Sequence, residues 1–346
     1  MIKKFYPKSA PFFVAEISAN HNGSLTNAKK LINDAKKYGA DYVKLQTYTP
    51  HTMTLKSRKN DFMIKQGLWK NQSLWDLYHN AQTPFEWQEK LFKYAKKINI
   101  KCFSTPFDET AVDLLEKLNC PIYKIASFEM NHIPLIERVA KTKKPMIIST
   151  GMANINEIDL AYKTALKFGA KEITLLYCVS NYPAANKDFN LNRISFLKKR
   201  YRCRVGFSDH SIDNSIAKAA VIAGAELFEK HIALKGVIGP DYNFSLKGPE
   251  IKQYANDLKN TFSLLGEEKF NRNSPENFFR NYRRSIYTTK KITKGEKFNK
   301  NNISIVRPGF GLSPKYFKKI LNKKSPFSLG QFEKLPNKLI GKLKLI

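Results

Sequence analysis

Short apolar runs recur along the first 230 residues, and stretches with helical periodicity alternate with them. The runs fall at 12–16, 41–45, 101–104, 122–125, 145–149, 173–178, 203–207 and 225–229. Several are almost continuously apolar, which suits parallel strands covered on both faces. Between them, residues 24–38 carry Ala28, Leu31, Ile32 and Ala35 at helical spacing and stop at Gly39. Residues 83–98 and 155–168 read the same way, the latter closed by Gly169. Eight strands alternating with helices in about 270 residues predict a (β/α)8 TIM barrel rather than a doubly wound sheet. The long connection from Tyr48 to about Pro84 is expected to be an elaborated loop on the active-site face.

The pattern changes near residue 270. Residues 271–282 are polar and break the periodicity, so they read as a linker between a barrel at 1–270 and a small module at 283–346. That module has short strand-like pieces, with Gly295, Pro308, Gly309, Gly311 and Gly330 at turns. No apolar run approaches the roughly 20 residues of a membrane helix, and no apolar signal region follows Lys3 and Lys4. The cysteines Cys102, Cys120, Cys178 and Cys203 are dispersed. This argues against a zinc ribbon or disulfide framework and for a reducing, cytoplasmic setting without a membrane partner.

Net charge is +31, mostly lysine, with +13 of it in residues 286–346. A basic nucleic-acid-binding protein is the alternative this raises, and it predicts tight, salt-sensitive binding. The excess is spread along the chain, which favours a solvated surface and no nucleic-acid partner. A positive field would still steer a small, multiply anionic substrate into a cleft.

In a (β/α)8 barrel, polar residues at the C-terminal strand ends are the catalytic candidates. Here they are Glu16; Lys44 and Gln46; Ser104 and Thr105; Lys124, Ser127 and Glu129; Ser149 and Thr150; Ser180 and Tyr182; Ser208, Asp209 and His210; and Glu229 and His231. Lys44 and Lys124 follow apolar strands, where burial is costly unless an anion pairs with them. With the hydroxyls of Ser127, Ser149 and Ser208 they could hold a phosphate and a carboxylate. A Schiff-base role for a barrel lysine is the rival. His210 and His231 close consecutive strands beside Asp209 and Glu229, which suggests a divalent metal site with open positions. Oxygen-completed two-histidine sites suit Mn2+ or a similar ion, with Mg2+ or Co2+ as alternatives.

The segments Ala15 to Gly23, Val43 to Thr47, Ser104 to Phe107 and Tyr123 to Ser127 resemble the sialic acid synthases. So do Ser149 to Met152, Gly206 to His210 and Glu229 to His231, in the same order. Arg284 to Ile286 and Val306 to Gly311 resemble that family's C-terminal antifreeze-like (SAF) domain. Within the family, the stretch from Gly67 to Trp87 and that from Arg307 to Tyr316 resemble the branch that makes pseudaminic acid. N-acetylneuraminate- and legionaminate-making branches are the near alternatives.

The resemblance implies a condensation of phosphoenolpyruvate with an amino sugar, here 2,4-diacetamido-2,4,6-trideoxy-L-altrose. The family's metal polarises the sugar aldehyde, the phosphoenolpyruvate methylene attacks, water adds, and phosphate leaves by C–O cleavage. Lys44, Thr105 and Lys124 would hold the carboxylate. Lys124, Ser127, Ser149, Ser180 and Ser208 would hold the phosphate. Glu16 would steer water or a proton, with His210 and His231 as catalytic metal ligands. Gln46, Glu129, Tyr182, Glu229 and Asp241 would bind sugar. Arg307 would reach in from the partner of a domain-swapped homodimer. Ser180 stands where N-acetylneuraminate-making relatives carry a phosphate-contacting asparagine.

Overall fold

The computed structural model describes residues 9–345 except 68, 181–183, 185, 268 and 272. Eight strands pair in parallel and in chain order: β1 (Phe12–Glu16), β2 (Tyr42–Thr47), β3 (Lys101–Pro106), β4 (Tyr123–Ile125), β5 (Met146–Ser149), β6 (Ile173–Cys178), β7 (Arg204–Asp209) and β8 (Leu227–Ala233). β8 returns to β1, Phe12 opposite Leu227 and Glu16 opposite His231, so the sheet closes into the expected (β/α)8 barrel. A two-residue strand, β9 (Leu246–Lys247), continues beside β8.

Outside lie α1 (Leu25–Lys37), α2 (Pro50–Met53), α3 (Leu74–Ala81), α4 (Phe85–Lys97) and α5 (Glu109–Lys117). They are followed by α6 (Ile133–Ala140), α7 (Ile155–Lys167), α8 (Asn192–Tyr201), α9 (Asn214–Ile222) and α10 (Pro249–Leu265). The predicted apolar stripe of α1, Ala28, Leu31, Ile32 and Ala35, is buried against the barrel. Side chains cap the helices where the sequence places Ser, Asp or Asn. Ser24 accepts from the Asn27 amide, and Asn154 forms a reciprocal box with Glu157.

Strands β2, β3, β7 and β8 run two to four residues beyond their predicted ends. Most of the extra residues are polar, and Thr47, Thr105, Ser208, Asp209, Lys230 and His231 among them are buried. Alternation along these strands sends every second side chain into the barrel mouth. The connection 48–84 is more ordered than a loop, carrying α2, a 3-10 turn at Asn60–Phe62 and α3.

The second compact unit spans Glu267–Ile346. It opens with α11 (Ser274–Phe279) and pairs β10 (Ser285–Thr288) antiparallel to β11 (Ile303–Val306). Ile286, Ile292, Phe298, Ile303, Leu312 and Leu335 form its own apolar core. Among the described residues, no helix is long and apolar enough to cross a membrane.

Candidate active site

Strand register brings the charged groups together before any loop is considered. Glu16 stands opposite Lys44 on β2 and His231 on β8, and Ser208 stands opposite Glu229. All are buried. The Lys44 ammonium contacts Glu16 Oε2, donates to Thr105 Oγ1 at 3.0 Å and lies 3.6 Å from Glu229 Oε1. Lys124 donates to both Glu229 oxygens at 3.2 Å. The result is a row of alternating sign: Glu16, Lys44, Glu229, Lys124.

The two lysines are not equivalent. Burial works against the charge of Lys44, but Glu16 and Glu229 outweigh it and raise its pKa. For Lys124, burial dominates and Lys44 adds repulsion, so its one shared carboxylate leaves its pKa below the ordinary lysine value. Burial likewise opposes the charge of Glu229, yet Lys124, Lys44 and His231 hold its carboxyl down at about 2. Lys124 is therefore the cation that gains most from an incoming anion. A Schiff-base role would leave Glu229 sharing only Lys44.

The space for that anion is the cavity that Lys124 lines together with Ser127, Ser149 and Ser208, and Gly151 packs tightly behind Ser127. A Cβ added at Gly151 would collide with Ser180 Oγ and lie 2.7 Å from Ser127 Oγ and 2.8 Å from Cys178 Sγ. The Gly151 amide itself points at Ser127 Oγ, 3.2 Å away. Ser180 Oγ is buried with no hydrogen-bond partner among the described residues. The hydroxyls of Ser127, Ser149 and Ser208 around Lys124 are the donor set of a phosphate cradle.

On the other side, the rings of His210 and His231 meet edge to face, 5.6 Å apart. His210 Nδ1 lies 2.9 Å from the Val179 carbonyl. A carbonyl only accepts, so Nδ1 carries the proton and Nε2 the lone pair. Burial, and then His231, push the His210 imidazole down to about 3, so it is neutral. Neutral imidazole is what a metal requires. The carboxylate beside the histidines is Asp241, whose Oδ2 lies 3.3 Å from His231 Nδ1. Burial opposes its charge, but the His231 contacts prevail and lower its pKa.

Asp209, expected at this place, is not there. Its strand position points it out of the barrel, where it accepts from the Ser211 hydroxyl at 2.6 Å and the Tyr254 hydroxyl at 3.1 Å. It also stands 3.4 Å from Lys230. Two histidines with a carboxylate behind one fit a divalent cation that keeps positions for oxygen ligands. Among the described residues, no three His, Cys, Asp or Glu side chains form a complete cluster.

These groups open into a cavity of about 450 Å³. It is lined by Lys44, Gln46, Thr105, Lys124, Ser127, Glu129, Ser149, Ser208, His210, Glu229, His231 and Asp241. Glu16 lies behind Lys44, and Gln46 reaches Glu16 Oε1 at 3.3 Å and Ser18 at 3.1 Å. Arg307 is exposed on the second unit, and Tyr182 lies outside the described residues.

The opposite wall is apolar. Leu74, Leu77, Tyr78 and Ala81 of α3 face the cavity at spacings of three and four, joined by Trp69 and Met53. Tyr48, which sequence reasoning missed, packs edge-on against Tyr78 and Phe107 with centroids 5.9 and 5.1 Å away. Glu129 sits between wall and floor. Its Oε2 is buried without a partner among the described residues, and burial raises its carboxyl to about 7.

The family model described as the NeuB family matches residues 31–270, and the SAF domain model matches residues 283–328. The chain is 42% identical over 318 residues to a pseudaminic acid synthase of Helicobacter pylori, covering 91% of this chain and 93% of the relative. It is 41% identical to a pseudaminic acid synthase of Campylobacter jejuni, covering 94% and 95%. An N,N'-diacetyllegionaminic acid synthase of Campylobacter jejuni is 36% identical, covering 90% and 94%. Among solved structures, a spore coat polysaccharide biosynthesis protein E from Chromobacterium violaceum superposes with TM-score 0.76 at 27% identity, covering 94% and 98%.

Proposed function

The chain belongs to the NeuB family, and we propose that within it this enzyme condenses phosphoenolpyruvate with 2,4-diacetamido-2,4,6-trideoxy-L-altrose to make pseudaminic acid and phosphate. The relatives that share about 41% of its residues along nearly the whole chain carry that name. The observation that carries the chemistry is buried Lys124 with the hydroxyls of Ser127, Ser149 and Ser208, facing two histidines across one cavity.

In this reading Lys44, Thr105 and Lys124 hold the carboxylate of phosphoenolpyruvate. Lys124 with Ser127, Ser149, Ser180 and Ser208 holds its phosphate. The methylene carbon attacks the sugar's aldehyde carbon, and water adds at the carbon that bore the phosphate. The tetrahedral adduct then breaks its C–O bond to release phosphate. Glu16, anchored on Lys44, takes or delivers the proton of that water. Gln46, Glu129, Glu229 and Asp241 line the sugar's side, with Tyr182 kept as a candidate from the sequence. His210 and His231 would hold a divalent cation, Mn2+ first among those considered, and Mg2+ or Co2+ after it. When bound, it would supply Lewis acidity at the sugar's carbonyl oxygen.

The apolar wall supports the choice of sugar. A 6-deoxy sugar with two acetamido groups presents more apolar surface than N-acetylmannosamine, and Trp69, Leu77 and Tyr78 offer a matching face. The test is phosphate release with phosphoenolpyruvate and each candidate amino sugar. A preference for N-acetylmannosamine or for the legionaminate precursor would overturn the sugar assignment, leaving the synthase chemistry. Phosphoenolpyruvate labelled with 18O at its bridging oxygen should deliver that label to the released phosphate. Label left in the sugar acid would refute C–O cleavage.

The reading extends to a homodimer in which Arg307 of one protomer completes the sugar site of the other. Mixing inactive Arg307→Ala and Lys124→Ala proteins under subunit exchange should restore up to about a quarter of wild-type activity, since half the dimers regain one intact site. No recovery despite demonstrated exchange would refute action in trans.

A further inference from the structure

The first motif noted in the sequence, the run that ends in Asn20, His21, Asn22 and Gly23, contains a residue the chemistry above leaves unused. Asn20 lies four residues beyond Glu16 and is fully buried. Its side-chain amide donates to the Ile232 carbonyl and to Ser245 Oγ, both at 2.9 Å. Its oxygen accepts from the Asp241 amide at 3.2 Å. Ser245 in turn donates to the Asp241 carbonyl at 2.6 Å. Both donors and the acceptor of one amide are therefore engaged, and Asp241 is gripped at its N–H directly and at its C=O through Ser245.

The contact is close as well as complete. A Cβ added at Gly239 would stand 2.8 Å from Asn20 Cα and 2.9 Å from Asn20 Oδ1, distances no real side chain tolerates. Gly239 is thus bare where the 234–245 segment must approach the loop after β1. Ile232, the amide's other anchor, immediately follows His231, whose Nδ1 faces Asp241 Oδ2. One side chain ties together the strand that carries His231 and the segment that carries Asp241.

We propose that Asn20 is a positioning residue for the His231–Asp241 side of the site, acting through the Asp241 backbone. It touches neither substrate nor reacting atoms. The proposal rests on the functional reading above, in which that side of the cavity receives the sugar. Lys44, Thr105, Lys124 and Ser149 sit on β2 to β5 and do not depend on Asn20, so the phosphoenolpyruvate half should be untouched.

The experiment compares Asn20→Ala, Gly239→Ala, Asp241→Asn and the Asn20→Ala/Asp241→Asn double variant with the full-length wild type. Asn20→Ala should lower kcat about 10- to 100-fold, the usual reach of a supporting residue, and leave KM for phosphoenolpyruvate within about twofold. Gly239→Ala, which pushes the same contact from the other side, should act in the same direction. The double variant should be no worse than Asp241→Asn alone, because contacting residues on one path are not additive. Hydrogen exchange of 234–245 peptides should quicken about tenfold or more in both single loop variants.

Unchanged exchange and kcat in Asn20→Ala would overturn the proposal. So would fully multiplicative losses in the double variant, or an equal rise in KM for phosphoenolpyruvate. If Asn20→Ala does not fold, Gly239→Ala decides by the same measurements. A wild-type enzyme that releases no phosphate would refute the functional reading instead. Hydrogen exchange would still report whether Asn20 holds Asp241.

Discussion

The cavity has two sides built on different rules. Its floor is polar, buried and set largely by strand register: Glu16, Lys44, Lys124, Glu229 and His231 come from β1, β2, β4 and β8, and His210 follows the last residue of β7. Its wall is apolar and half-buried, and most of it comes from the single 48–84 connection through α3 and Trp69. A parallel barrel fixes the backbone of the floor within the hydrogen-bonded sheet. The wall can be exchanged without disturbing the sheet. In the proposed function chemistry belongs to the floor and the choice of sugar to the wall, and that division can be broken experimentally.

The largest effect should follow from emptying the floor. Lys124→Ala leaves Glu229 sharing only Lys44 and removes the cation nearest the cradle, so turnover should fall about 1,000-fold with any sugar. Chelation by EDTA should abolish turnover, and Mn2+ should restore it in the wild type but not in His210→Ala or His231→Ala. Full activity of both histidine variants after exhaustive chelation would remove the metal from the proposal. A Lys124→Ala loss confined to one sugar would collapse the distinction between floor and wall.

Glu129 lies on the seam and reports how dry the wall is. Burial lifts its carboxyl from 4.5 to about 7. The sign follows from proton counting. Below pH 4.5 the group is neutral in both folded and unfolded chains and contributes nothing. Between 4.5 and 7 the unfolded chain ionises first, so stability falls as pH rises, by at most about 3 kcal/mol above the folded value. Glu129→Gln keeps the shape and removes the charge. Its melting temperature should exceed that of the wild type by several degrees at pH 8.5, with the gap closing toward pH 5. A gap that is constant across pH would mean Glu129 is solvated.

Most of the fold and the floor were legible in the sequence, because strands buried on both faces write continuous apolar runs. Their ends were misjudged for a physical reason. Ser208, Asp209, Lys230 and His231 are polar yet remain in β7 and β8, since a barrel mouth is where buried polar groups are used. Facing direction was legible only in part: Asp209 next to His210 looked like a partner, whereas alternation turns it toward Tyr254 and Asp241 takes the place beside His231. Asn20 carried no local signal, because its partners are 212 to 225 residues away. Helix α3 did carry one. Leu74, Leu77, Tyr78 and Ala81 form an amphipathic stripe, but a stripe does not reveal whether it faces a core or a cavity.

That ambiguity makes the wall the finest test. If the stripe were ordinary core, Leu77→Ala would lower stability and disturb all substrates alike. If it faces the sugar, the variant should melt nearly as the wild type does, because Leu77 is only half-buried. Shortening one apolar contact should then cost about tenfold in kcat/KM for the 6-deoxy sugar, within the range of a lost methyl-sized contact. KM for phosphoenolpyruvate should not change. N-acetylmannosamine, with its hydroxymethyl group, should lose less, so the preference between the two sugars should narrow. Trp69→Ala should narrow it in the same direction. Equal losses for both sugars, or a melting point that drops in step with activity, would leave the wall without a part in choosing the substrate.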